Sequence, residues 1–260
     1  MDPLERAPEN EGPAADPALD TPAREPAPEP HPAVEGRDIL IIPFVAFAIT
    51  VLAAAIWRFF PPDLLSALDG ALLPHLIAAV LYLITLITWG AILAARRIPP
   101  ARAGLRTTRP RWVLITLGLW TGFILVFAGL NLWLNAEGVE LIEEQNRQVL
   151  GNGNILLTLA VLGLLAPVAE EIYFRGVFFA WLRTRIGVFA AAFLTSAFFA
   201  AVHTNYMVGD GAATALALAQ IGTLGFICAL LYQKSGSLLP AILFHMTNNL
   251  IVTVATASAL

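Results

Sequence analysis

The stretch ILLTLAVLGLLAPVAEEIYFRGVFFAW, residues 155–181, is long and apolar enough to cross a bilayer, yet it holds Glu170, Glu171 and Arg175. A spanning helix needs about 20 mostly apolar residues. An ionisable side chain at its centre costs roughly 2.5–3.5 kcal/mol on insertion scales, so such groups mark function. Glu171 and Arg175 stand at i, i+4 with the glutamate first, the order that favours an ion pair on a helix. That pairing makes the arginine tolerable and leaves Glu170 as the unpaired carboxylate. Pro167, just before, removes a backbone N–H and disturbs the helix beside the site.

The rest of the chain fits a membrane setting. Of 260 residues 58% are hydrophobic and 13% charged, with a mean hydropathy of +0.73, whereas soluble domains carry about 45–50% apolar and about 25% charged residues. Seven apolar runs are candidate spans: 39–59, 73–95, 113–134, 155–181, 188–202, 212–232 and 238–257. The expected fold is all-α, a polytopic transmembrane helical bundle of about seven spans. A polar stretch over 135–154 mixes Val139, Leu141, Ile142 and Leu150 with Glu140, Glu143, Glu144, Gln145 and Arg147, and reads as a short amphipathic helix at the interface.

Residues 1–38 differ from everything after them. They hold ten acidic side chains against three arginines, a net charge of −7, and nine prolines. Such a segment buries too little apolar surface to offset its ordering entropy. It also lacks the basic start and apolar stretch of a signal peptide. The expected organisation is a disordered acidic tail over 1–38, N-terminal transmembrane helices with an arginine-rich loop over 39–112, and the main unit over 113–260. Arg96, Arg97, Arg102, Arg106, Arg109 and Arg111 follow the second run, so this loop is expected to be cytoplasmic. Counting from it places the N-terminus in the cytoplasm, the 140–144 stretch outside, and Arg183, Arg185 and Lys234 inside. Gly118 and Gly122 have a small-xxx-small spacing, read as a seat for a neighbouring helix of the same chain. Cys228 reads as a small buried hydrophobe.

Two further runs carry His203 and the pair His245 and Asn249. If 155–181 and 188–202 form a hairpin with its tip at Ile186 and Gly187, Glu170 and His203 each lie 16 residues from the tip. At 1.5 Å per residue both are about 24 Å from it, level with each other and able to share a water or a metal ion. His245 and Asn249 are one turn apart, on one helix face, and suit either metal binding or donation to an oxyanion. His245 lies about 15 Å from the turn near Ser235, so it reaches the Glu170 level only if Ser235-Gly236-Ser237 dips into the membrane or the helices tilt. His31 and His75 read as inert.

These residues form three motifs. Glu170-Glu171-Ile-Tyr-Phe-Arg175 resembles EExxxR, Phe199-Ala-Ala-Val-His203 resembles FxxxH, and His245-Met-Thr-Asn-Asn249 resembles HxxxN. In this order they resemble the signatures of the CPBP family of intramembrane proteases, which includes the type II CAAX prenyl endopeptidases and the bacterial Abi proteins. The resemblance covers about residues 113–257. It implies an integral membrane endopeptidase, of a bacterial cell membrane, acting on a membrane-associated protein or peptide, with the lipid bilayer and no nucleic acid as its other partner. It implies that Glu170 and His203 activate water and that His245 and Asn249 stabilise the oxyanion, supported by Glu171 and Arg175. The cofactor is either none or a divalent metal such as zinc, for which Glu170, His203 and His245 are the candidate ligands. Two other classes compete: a catalytically silent scaffold of the same fold, and a proton-coupled transporter, since membrane Glu and His also form relays.

Overall fold

The computed structural model describes residues 35–57, 72–137, 155–203 and 211–258, and among them every regular element is helical. Helices α1 (Gly36–Trp57), α2 (Leu72–Ala95), α3 (Arg111–Ala136), α4 (Ile155–Ile186), α5 (Val188–Ala201), α6 (Gly211–Ser235) and α7 (Leu239–Ser258) fall where the apolar runs stand. Five of them, α2, α3, α4, α6 and α7, are long and apolar enough to cross a membrane. The chain is therefore a helical integral membrane protein, with five candidate spans among the described residues. α5 has 14 residues, about 21 Å of helix against a hydrocarbon core of about 30 Å. The interfacial helix expected over 135–154 lies, beyond residue 137, outside the described residues, as does the tail over 1–34.

The tail ends earlier than its charge suggests. Gly36, Arg37 and Asp38 form the first turn of α1. Asp38 accepts the Glu35 backbone N–H at 2.8 Å, the return arm of a capping box. Its carboxylate is also gripped by Arg96 at 2.6 and 2.7 Å. The partner lies 58 residues away, so Asp38 looks like one more tail acid until the fold brings Arg96 to it.

α4 is the central element: 44% of its most apolar window is buried, against 11% for α2 and 17% for α3. It is also the least regular. Ordinary α turns at Ile155–Thr158, Ala166–Glu171 and Ala180–Ile186 alternate with π-helical stretches at Leu159–Leu165 and Ile172–Phe179. Gly187, at φ +85°, ends α4 and starts α5, a conformation that favours glycine. The hairpin tip is thus where the sequence puts it.

The turn between α6 and α7 does sink into the protein. Ser237 and Leu238 are fully buried. Leu238 N–H donates to the Gly104 carbonyl at 2.9 Å. Ser237 Oγ donates to the Arg106 carbonyl at 2.6 Å, and Arg106 Nε donates to the Gly236 carbonyl at 2.7 Å. Irregular backbone at depth is stable when protein covers and satisfies it. Leu238 rests on Gly176, where an added Cβ would meet its Cδ1 at 3.2 Å. From that contact Glu170 lies six residues back along α4 and His245 seven residues on along α7, and the two side chains come within 3.8 Å.

Gly118 and Gly122 seat no helix among the described residues. A Cβ on either would meet nothing within 4 Å among the described residues. The buried face of α3 is instead that of Thr116, Phe123 and Phe127, with Phe123 edge-on to Phe244 of α7 at 5.5 Å.

Candidate active site

Proline builds the first part of the site. Ahead of Pro167 the helix has widened, and the Ala166 N–H bonds to the Val161 carbonyl, five residues back. By the same register the Leu162 carbonyl would be served by residue 167, which as proline has no N–H to give. A buried carbonyl must be satisfied elsewhere, and Asn249 Nδ2 donates to it at 2.9 Å. Asn249 is thus fixed against α4 by a defect that Pro167 creates.

One turn earlier on α7, His245 is buried and its Nδ1 lies 2.9 Å from Glu171 Oε1. The carboxylate oxygen accepts, so Nδ1 carries the proton and Nε2 points the other way. Glu171 also pairs with Arg175, Oε1 to Nη1 at 3.1 Å, and both side chains are buried to within 1%. Phe199 lies against the guanidinium at 4.7 Å from its ring centre, a cation–π contact that supports a desolvated arginine. α6 leaves room for it at Gly225, where a Cβ would come within 2.8 Å of Arg175 Nη2. The expected Glu171–Arg175 ion pair is present, and its further work is to hold the His245 ring.

Glu170 faces a different environment. Its side chain is 15% exposed where that of Glu171 is sealed at 0%. Oε2 stands 3.8 Å from His245 Nε2, too far for a direct hydrogen bond and a distance at which a water can contact both. Oε1 accepts a hydrogen bond from Tyr82 Oη of α2 at 2.9 Å. Glu170 is therefore not the unpaired carboxylate that its own helix suggests. Tyr82 escaped the sequence reading, although His75, Tyr82 and Trp89 recur every seven residues, a spacing that puts them on one helix face. His75, read as inert, is buried with Nε2 2.9 Å from Thr158 Oγ1.

His203 follows the last turn of α5. Its Nδ1 donates to the Phe199 carbonyl at 2.6 Å, and its ring stacks edge-on against Phe199 at 4.6 Å. Phe199 in turn meets the His245 ring at 5.7 Å. Among the described residues no hydrogen bond or ion pair joins His203 to Glu170; the imidazole nearest Glu170 is that of His245. Between Glu170 and the hairpin tip, Ile172–Phe179 winds as a π-helix. Its i→i+5 bonds change both rise and facing for every residue beyond. As placed, Glu170, His203 and His245 do not form a zinc donor set. Among the described residues no three His, Cys, Asp or Glu side chains converge as metal ligands do.

The fold and site define an integral membrane protein with a buried arginine–carboxylate–histidine centre on interrupted helices. Residues 152–251, which contain all three motifs, match the family described as type II CAAX prenyl endopeptidase Rce1-like, and the similarity is confined to this segment. It is also similar to an uncharacterized 24.3 kDa protein of Escherichia coli, 34% identical over 95 residues. That match covers 36% of this chain and 41% of the relative, so it spans less than half the length of the relative. No solved structure matches the chain.

Proposed function

We propose that the protein is an intramembrane endopeptidase that hydrolyses a peptide bond of a membrane-associated protein or peptide. The observation that carries this is the half-buried Glu170 carboxylate, 3.8 Å from the Nε2 of a histidine whose other nitrogen is held by Glu171. In this reading a water lies between Glu170 and His245. Glu170 takes a proton from it as the oxygen attacks the peptide carbonyl, and returns that proton to the leaving amine as the C–N bond breaks. His245 polarises the water. Asn249, with one amide N–H remaining after its bond to Leu162, and His203, on the far side of Phe199, are assigned to the substrate and its oxyanion. The division of labour differs from the expected one in that His245 replaces His203 beside Glu170. No step requires a metal ion.

The topology belongs to the same reading. A cytoplasmic N-terminus is supported by the arginine distribution; the 1–38, 39–112 and 113–260 organisation, about seven crossings and action in a bacterial cell membrane go with the same reading.

The test is a survey of protein termini in membrane fractions from cells lacking the protein, complemented with wild type or Glu170→Ala at matched expression. New termini that appear only with wild type are expected. Indistinguishable termini, with the cellular phenotype rescued by both forms, would make the protein a binding scaffold.

A further inference from the structure

α2 lies outside the segment that matches the protease family, yet it reaches the centre of the site. Tyr82 Oη donates to Glu170 Oε1 at 2.9 Å. The contact belongs to a continuous face. His75 and Trp89, seven residues either side of Tyr82, are both buried, and His75 meets Thr158 of α4 at 2.9 Å. α2 therefore touches α4 at two points along its length, Thr158 and Glu170. Two such points fix the rotation of α2 about its own axis, so the direction of the phenol is set by helix packing.

A glutamate side chain has several rotatable bonds, and a general base works only when its lone pair is aimed. Glu170 divides its two oxygens: Oε1 is held by Tyr82, and Oε2 is turned toward His245 Nε2. We propose that Tyr82 is the positioning residue for Glu170, pinning one carboxylate oxygen so that the other faces the water site, and that the catalytic unit of this chain therefore extends beyond the family segment to α2. This rests on the reading of Glu170 as the base.

The experiment follows the Glu170-dependent new termini over time in membrane vesicles carrying full-length wild type, Tyr82→Phe, Tyr82→3-fluorotyrosine or Glu170→Gln. A hydrogen bond to a charged group contributes about 1.5–3 kcal/mol, so Tyr82→Phe is expected to slow cleavage about 10- to 100-fold. Tyr82→3-fluorotyrosine, which keeps the ring and the O–H, restores most of the rate. Infrared difference spectra of wild type against Glu170→Gln isolate the Glu170 carboxyl band, which is expected to move in Tyr82→Phe. That second readout is independent of turnover, and a purely structural tyrosine would leave it unmoved. Full-rate cleavage by Tyr82→Phe while Glu170→Gln is inactive overturns the positioning role alone, as does an unmoved band. Full-rate cleavage by Glu170→Gln overturns both the base and its positioning, whatever the band does.

Discussion

Glu170 and Glu171 are adjacent, and the two sides of α4 that they occupy are built on opposite terms. The Glu171 side is sealed: carboxylate, guanidinium and imidazole are buried and held to one another, with Phe199 against the arginine. The Glu170 side keeps 15% of its side chain exposed and is held by one phenol from a helix outside the family segment. One side fixes the His245 ring and the other leaves a carboxylate open beside it. A buried ion pair adds little net stability, but removing one partner strands a charge and costs about 3–5 kcal/mol. The largest effect is therefore expected on the sealed side. Arg175→Ala should lose about 3–5 kcal/mol of stability, measured by denaturant unfolding in detergent. Glu170→Gln should stay within about 1 kcal/mol of wild type, because a partly exposed group leaves no stranded charge, while cleavage disappears. Equal loss of stability in the two variants would erase the distinction between the sides.

Asn249 belongs to the sealed side by a different route, and its effect should be smaller. Asn249→Ala leaves the buried Leu162 carbonyl without its donor, an omission worth about 1–3 kcal/mol. If Pro167 is the reason that carbonyl is free, the two residues are coupled. In a Pro167→Ala background the backbone regains an N–H, and Asn249→Ala should then cost less by about 1 kcal/mol, within the range found for residues sharing one network. Strictly additive losses in this double-mutant cycle would mean that Asn249 is held for some other reason.

Much of the sealed side was legible in the sequence, and little of the open side was. The i, i+4 spacing of Glu171 and Arg175 specifies an ion pair on one helix, and the same spacing puts His245 and Asn249 on one face. Both are local consequences of helical geometry and both are present. The helix positions were legible for the same reason, since apolar runs of this length have few alternatives. What was missed depends on contacts between distant segments or on departures from regular winding. Tyr82 in an apolar run looks like a packing residue until α2 is laid against α4. The approach of His245 to Glu170 joins segments 75 residues apart, and the π-helical winding of α4 is not encoded in the spacing of residues, although Pro167 signals a disturbance. The buried turn at Ser237 and Leu238 depends on hydrogen bonds to Gly104 and Arg106, some 130 residues earlier.

Glycine makes the smallest comparison. At Gly225 a Cβ would come within 2.8 Å of a guanidinium that lies between Glu171 and Phe199. At Gly122 a Cβ would enter open space on the outer face of α3. Glycine inside a helix is about 1 kcal/mol less favourable than alanine, so where nothing is in the way alanine should be neutral or better. Gly122→Ala is expected to leave cleavage intact and to shift unfolding in detergent by no more than about 1 kcal/mol, toward stability. A loss of stability at Gly122 would require a surface packed closely against α3 that the described residues do not supply. The substitution therefore separates a lipid-facing α3 from one that is covered by a partner, and it does so without touching either side of α4.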